Sequence, residues 1–138
     1  MTRPCFLVVD REFAGSISSR KLLIETAKFN VITAYSGSEA IELFDRFPGV
    51  DGVVLDASLG DMECDELVRA LKAKSPTLPT IAIEGGLKAC SSADFNVRSF
   101  DPGQLLDVLR SIRPKETKLL AERDEALNRQ AAGEYADE

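Results

Sequence analysis

Apolar residues along this chain form short unbroken runs, separated by stretches where they recur every three or four positions. Phe6-Leu7-Val8-Val9 and Gly52-Val53-Val54-Leu55 are continuous and rich in β-branched side chains. That is the pattern of strands buried on both faces of a parallel sheet. Val31-Ile32-Thr33-Ala34 and Thr80-Ile81-Ala82-Ile83 read as two more strands, and Phe95-Asn96-Val97-Arg98 as a fifth. Between them the period changes to that of helices. Phe13, Ile17, Ile24 and Ala27 share one face of a helix predicted over 13–28. Ser36 and Glu39 form a capping box opening a second helix, whose Ala40, Ile41, Phe44 and Phe47 face inward and which Pro48-Gly49 ends. A third helix begins near Asp61 or Met62, buries Leu67, Val68 and Leu71, and stops by Ser75-Pro76. Asp101 caps a last helix with Pro102 in its first position, and Leu105, Leu109 and Ile112 line its inner face. Alternating strands and helices predict an α/β fold with a doubly wound, five-stranded parallel sheet.

Asp10 closes the first strand and Asp56 closes the third. Side chains at the C-terminal ends of neighbouring parallel strands converge on one crevice, the usual site of such folds. Two carboxylates there point to a metal site or to a carboxylate that accepts a group.

Composition narrows the chemistry. The chain has 138 residues, 44% hydrophobic and 29% charged, which suits one soluble globular domain. There is no histidine, which excludes a Ser-His-Asp triad, histidine metal ligands and a phosphohistidine. A net charge of −6 argues against nucleic-acid binding. No apolar run approaches the ~20 residues that span a bilayer, so no membrane partner is expected. Cys5, Cys64 and Cys90 have no metal spacing and are odd in number, which predicts reduced thiols in a cytoplasmic protein. Phosphate loops of the GxxxxGK[ST] or GxGxxG kind are absent.

Two segments depart from a regular alternation. Residues 85–94 join the fourth and fifth strands with a connection shorter than a crossover helix needs, so at most one or two turns fit. Gly85-Gly86 begins it and Leu87 is its clear apolar anchor. After Pro114 the composition shifts to Lys, Glu, Ala and Arg, which gives a domain over 1–113 and a charged, helix-prone tail over 114–138.

With these residues in place, the chain resembles the receiver domain of bacterial two-component response regulators from about Pro4 to Arg113. Leu7-Val8-Val9-Asp10-Arg11-Glu12 is similar to the family's acidic motif, and Val54-Leu55-Asp56 to its phosphoacceptor strand. Ala34-Tyr35-Ser36-Gly37-Ser38-Glu39-Ala40 matches an A-x-x-G-x-E-A segment, and Ser99-Phe100-Asp101-Pro102 with Leu105-Leu106 matches the region after the fifth strand. The resemblance implies the flavodoxin-like strand order 2-1-3-4-5, with the fourth helix shortened or missing. It puts Asp56 at the phosphoacceptor position and Asp10 and Glu12 at acidic, metal-holding positions. Arg11 stands where a second acidic metal ligand belongs. Glu84 replaces the Ser or Thr, and Arg98 the Lys, that grip the phosphoryl group. Phe95 falls at the switch aromatic and Ser99 at the proline that often follows a cis bond.

These substitutions predict an atypical, degenerate member. Arg11 removes a magnesium ligand, Glu84 repels a phosphoryl group, and Arg11 with Arg98 supplies the positive charge a cation would bring. The expectation is a stand-alone, phosphorylation-independent protein-interaction module, with no cofactor, or Mg2+ only if the site remains competent. Its partner would be a kinase or a downstream signalling protein, and a homodimer is a side expectation. The alternatives are a working receiver phosphorylated on Asp56 with Mg2+, and an unrelated small α/β enzyme or nucleotide binder.

Overall fold

A computed structural model describes residues 3–11, 19–85, 89–98 and 101–112. Glu12, Phe13, Ile17, Leu87, Ser99 and the 114–138 tail, singled out above, lie outside the described residues. The elements run β1 (Cys5–Val9), α1 (Ser19–Thr26), β2 (Asn30–Ala34), α2 (Gly37–Arg46), β3 (Gly52–Asp56), α3 (Cys64–Lys74), β4 (Thr80–Glu84), β5 (Phe95–Arg98) and α4 (Pro102–Ile112). The sheet has the expected order β2-β1-β3-β4-β5, and every pairing is parallel. Among the described residues none between β4 and β5 is helical, so the connection has no full counterpart of a fourth crossover helix.

Alternation within the central strands divides the core into two halves. Leu7, Val9, Val53, Leu55 and Ala82 face α2 and α3, meeting Phe44, Leu67 and Leu71. Phe6, Val8, Val54, Ile81 and Ile83 face α1 and α4, meeting Ile24, Leu105 and Leu109. Both faces of β1 and β3 are therefore covered, which is why their sequences read as unbroken apolar runs. The Phe6 ring meets Phe29 edge-on at 5.4 Å, a favoured aromatic geometry.

Carboxylates fasten the N-terminal ends of the strands. Asp51 accepts the Cys5 N–H at 2.8 Å and its own N–H donates to the Cys5 carbonyl at 2.7 Å, joining the starts of β1 and β3. Asp94 does the same for β4 and β5, accepting the Thr80 N–H at 2.9 Å and the Thr80 hydroxyl at 3.1 Å. Lys72 completes it with an ion pair of 2.8 Å to Asp94.

Three expectations are corrected. Phe47 is 48% exposed, because it is the C-cap of α2 and lies past the last helical turn. α3 starts at Cys64, since Asp61 and Met62 are engaged with α2 instead. Cys64 and Cys90 are joined as a disulfide, which leaves Cys5 as the free thiol and overturns the expectation of three reduced cysteines. Sequence spacing does not reveal which cysteines a fold brings together. No helix among the described residues is long and apolar enough to cross a membrane.

Candidate functional site

The C-terminal ends of β1 and β3 present Asp10 and Asp56 side by side. Asp10 extends the β1–β2 ladder by donating its N–H to Ala34 at 2.8 Å. Ala57, just past Asp56, donates to Ile83 at 3.0 Å and so continues the β3–β4 ladder. With the backbone fixed on both sides, the two carboxylates are held at 2% and 5% exposure. Buried carboxylates need compensating partners.

The principal partner comes from α1. Ile24 is fully buried beneath this helix, and Arg20 lies one turn earlier on the same side. The Arg20 guanidinium Nη1 donates to Asp56 Oδ2 at 2.7 Å and stands 3.5 Å from Asp10 Oδ1. Only 20% of its side chain is exposed, so the interaction is poorly screened. The second oxygen of Asp56 accepts the Ser58 N–H at 2.7 Å, an Asx-type turn that starts the β3–α3 loop. Arg11 Nε is 3.9 Å from Asp56 Oδ2, but 66% of the Arg11 side chain is in solvent. Exposed pairs at that distance contribute little. The crevice thus holds Asp10 and Asp56 against Arg20 and, more loosely, Arg11.

The loop after Asp56 is fastened in turn. Asp61 accepts the Gly37 N–H at 2.9 Å and the Ser38 N–H at 3.0 Å. These two amides belong to the first turn of α2, where a helix has no internal acceptors for them. Donation from Gly37 above all holds the Asp61 carboxyl below its ordinary pKa, against an opposing effect of burial, with Ser38 adding to the lowering. Ser36 accepts the Glu39 N–H at 3.1 Å, the first half of the predicted capping box. The Glu39 carboxylate reaches Tyr35 N–H, at 3.5 Å, rather than the N–H of Ser36. Gly37 also admits Met62, whose Cγ would lie 2.5 Å from any Cβ at that position.

The other positions of interest lie around this centre. Glu84 Oε1 accepts the Cys90 N–H at 3.3 Å. With its amide oriented to satisfy both its atoms, Asn96 donates to Glu84 at 2.7 Å and to the Cys90 carbonyl at 3.0 Å. Glu84 is thereby turned to the β4–β5 connection. Arg98, opposite Glu84 in register, lines a cavity of about 310 Å³ together with Arg20, Ile83 and Leu105. Phe95 is at the other end of β5, paired with Ile81, whereas Asp56 pairs with Ile83. It is 37% exposed and borders a surface groove with Pro79 and Ile112. Among the sequence-derived positions, the structure brings Asp10, Asp56 and Arg11 together. Arg20 was not among them, although its place on the inward face between Ile17 and Ile24 marks it as the charged residue in an apolar stripe.

Among the described residues no group of three metal-ligating side chains converges. Magnesium favours six oxygens in near-octahedral array, and a guanidinium nitrogen now lies between the two carboxylates that could supply two of them.

A doubly wound sheet of order 2-1-3-4-5, with two aspartates at its carboxyl edge, defines a class. The fold is that of response-regulator receiver domains, as solved structures bear out. A CheY-like receiver domain protein from Methanospirillum hungatei JF-1 superposes with a TM-score of 0.71 at 20% identity, over 85% of this chain and 98% of that one. The CheY-like receiver domain from Methylobacillus flagellatus gives a TM-score of 0.69 at 27% identity, over 81% of this chain and all of that one. The CheX-CheY-BeF3-Mg+2 complex from Borrelia burgdorferi gives a TM-score of 0.66 at 22% identity, over 79% of this chain and 88% of that one. No family model matches the sequence, and no curated protein matches it.

Proposed function

We propose that this chain is a receiver-type module of two-component signalling that acts by binding a protein partner, without phosphorylation, with an arginine in the place of the cation. The observation that carries this reading is Arg20, at 2.7 Å from Asp56 and 3.5 Å from Asp10. A dication earns its place in such a crevice by neutralising carboxylates that burial leaves exposed to one another. Arg20 sets one fixed positive charge against the pair, Arg11 adds a looser second, and the charge-assisted bond of Arg20 to Asp56 has the ~2.7–2.9 Å length of strong pairs. Magnesium binding would require that bond to break and the guanidinium to move out. Arg11 occupies a position that would need an oxygen ligand, and the carboxylate of Glu84 is committed to Cys90 and Asn96. A hydroxyl donor for a phosphoryl oxygen is therefore missing at that strand end.

The partner is read as a protein because the receiver fold serves as a docking unit, and because the changed β4–β5 connection alters the face beside α4. The Borrelia complex pairs a CheY with CheX. We read the compartment as cytoplasmic on the same likeness.

The test is a series of amide NMR spectra with magnesium, then magnesium with beryllofluoride. The expected outcome is no shift at Asp10, Asp56 or Ala57 at millimolar magnesium, with or without beryllofluoride. Shifts centred on those residues would overturn the reading in favour of a working phosphoacceptor at Asp56.

A further inference from the structure

The described residues of the connection between β4 and β5 are attached to the fold by a covalent bond and by hydrogen bonds. Cys90 lies within it, and Cys64 is the first residue of α3. Their Cα atoms are 5.6 Å apart, a spacing that suits a disulfide, and the sulfurs are bonded. Both residues are buried, at 2% and 0% exposure. Polar contacts flank the bond on each side. The Cys90 N–H donates to Glu84 at 3.3 Å and the Ser92 N–H to Asp65 at 2.8 Å. Of the described residues in the connection, Cys90 alone is fully buried and Ala93 packs only partly against the core. Where a crossover helix would bury several apolar side chains, the described residues of this connection are held by one covalent bond, a few hydrogen bonds and the partial packing of Ala93.

We infer that Cys64 and Cys90 are a reversible thiol–disulfide site, whose redox state decides whether this connection is docked against α3. The co-reactant is a low-molecular-weight disulfide. The thiolate of one cysteine attacks a sulfur of that disulfide and releases one small thiolate, giving a mixed disulfide. The thiolate of the second cysteine then attacks the protein sulfur and releases the other small thiolate. One S–S bond forms in the protein and one breaks in the small molecule. The two cysteines lose two electrons and two protons, and the released thiols carry both away. Because both sulfurs are buried, each step proceeds through opening of the connection. Cys5 is no competitor: it opens β1 at the opposite end of the sheet, and burial, followed by the neighbouring Asp51 charge, raises its thiol pKa. The inference is independent of the phosphorylation state of Asp56.

The site also reaches the crevice. Cys90 holds Glu84 through its N–H, and Asn96 bridges Glu84 to the Cys90 carbonyl. Release of the connection therefore frees a carboxylate at the end of β4 and uncovers the first turn of α3.

The experiment uses the full chain with all three cysteines, equilibrated in buffers of graded reduced-to-oxidised glutathione ratio. Acid-quenched alkylation and mass measurement count the free thiols. The expected result is a single two-electron transition from three alkylated cysteines to one, with Cys5 alkylated throughout. Hydrogen exchange on the two end states reads the consequence. Amides of Cys90, Ser92 and Ala93 exchange about tenfold or more faster in the reduced form, while Val8 and Val54 are unchanged. Three alkylated cysteines at every ratio, or one at every ratio, would overturn the inference. So would equal exchange rates at 90–93 in the two states. No substituted variant is needed, so folding of a mutant does not enter the outcome.

Discussion

Arg20 stabilises the two buried carboxylates and in turn depends on them. Replacing it with methionine keeps the aliphatic bulk and removes the charge. Asp10 and Asp56 then face each other in a site with 2% and 5% exposure. The expected loss is about 2–3 kcal/mol, somewhat under the ~3–5 kcal/mol typical of breaking a fully buried pair, because Arg20 retains some solvent contact. Denaturant unfolding of Arg20→Met measures it, and adding Asp56→Asn should recover a substantial part. A loss under about 0.5 kcal/mol would mean the pair is no stronger than a surface salt bridge. This residue was legible in part. The helical period that places Ile17 and Ile24 inward places Arg20 there as well, yet an arginine in a polar N-terminal stretch reads as solvated until the strand ends are positioned. The acidic residues at those ends were plain because each closes an apolar run. The Cys64–Cys90 pairing was not, since the fold brings together positions 26 residues apart through a strand and a helix.

At the scale of elements, α2 and the loop after β3 form one unit. Asp61 supplies two acceptors to the first turn of α2 from 23 and 24 residues away. Substituting Asp61→Ala leaves the Gly37 and Ser38 N–H groups to water, with an expected cost of about 1 kcal/mol, as for loss of a side-chain cap. The measurement is the urea midpoint of the variant. A second readout is line broadening in NMR at Ser58 and Gly60, since the same change unties the loop from α2. Ser36 was readable as a cap from local sequence because its partner Glu39 is three positions on. Asp61 was not, because its role exists only once β3 and α2 are neighbours. The β4–β5 connection was readable as too short for a regular crossover helix, by length alone. How it attaches was not, because the attachment uses side chains from α3 and β4.

For the molecule as a whole, acid should be the weak side. Donation from the Ser92 N–H holds Asp65 below its ordinary pKa, as donation from Gly37 does for Asp61. Asp94 is pushed upward by burial, yet Lys72 and Thr80 together carry it down. A carboxyl depressed in the folded state binds its proton more tightly once unfolded. Its contribution to stability is therefore full above the unfolded value of about 3.9 and fades as pH falls through the lower folded value. Denaturant midpoints should be flat from about pH 7 to pH 5 and decline below about pH 4. A midpoint that rises on acidification would contradict the assigned bonds. The strand order belongs to this scale too. It came from the resemblance to receiver domains, whereas the apolar runs of the central strands gave only that both faces of the sheet need cover, as a doubly wound sheet provides.

The brevity of the β4–β5 connection also bears on how the chain reaches this state. Thr80 and Asp94, which join the starts of those strands, are 14 residues apart, whereas Cys5 and Asp51, which join β1 to β3, are 46 apart. Closing the smaller loop costs less chain entropy. The short connection thus gives the sheet one local parallel pairing at its edge, while the centre depends on distant segments meeting. Local contacts speed folding and distant ones slow it. The edge of this sheet is in a position to assemble before its middle.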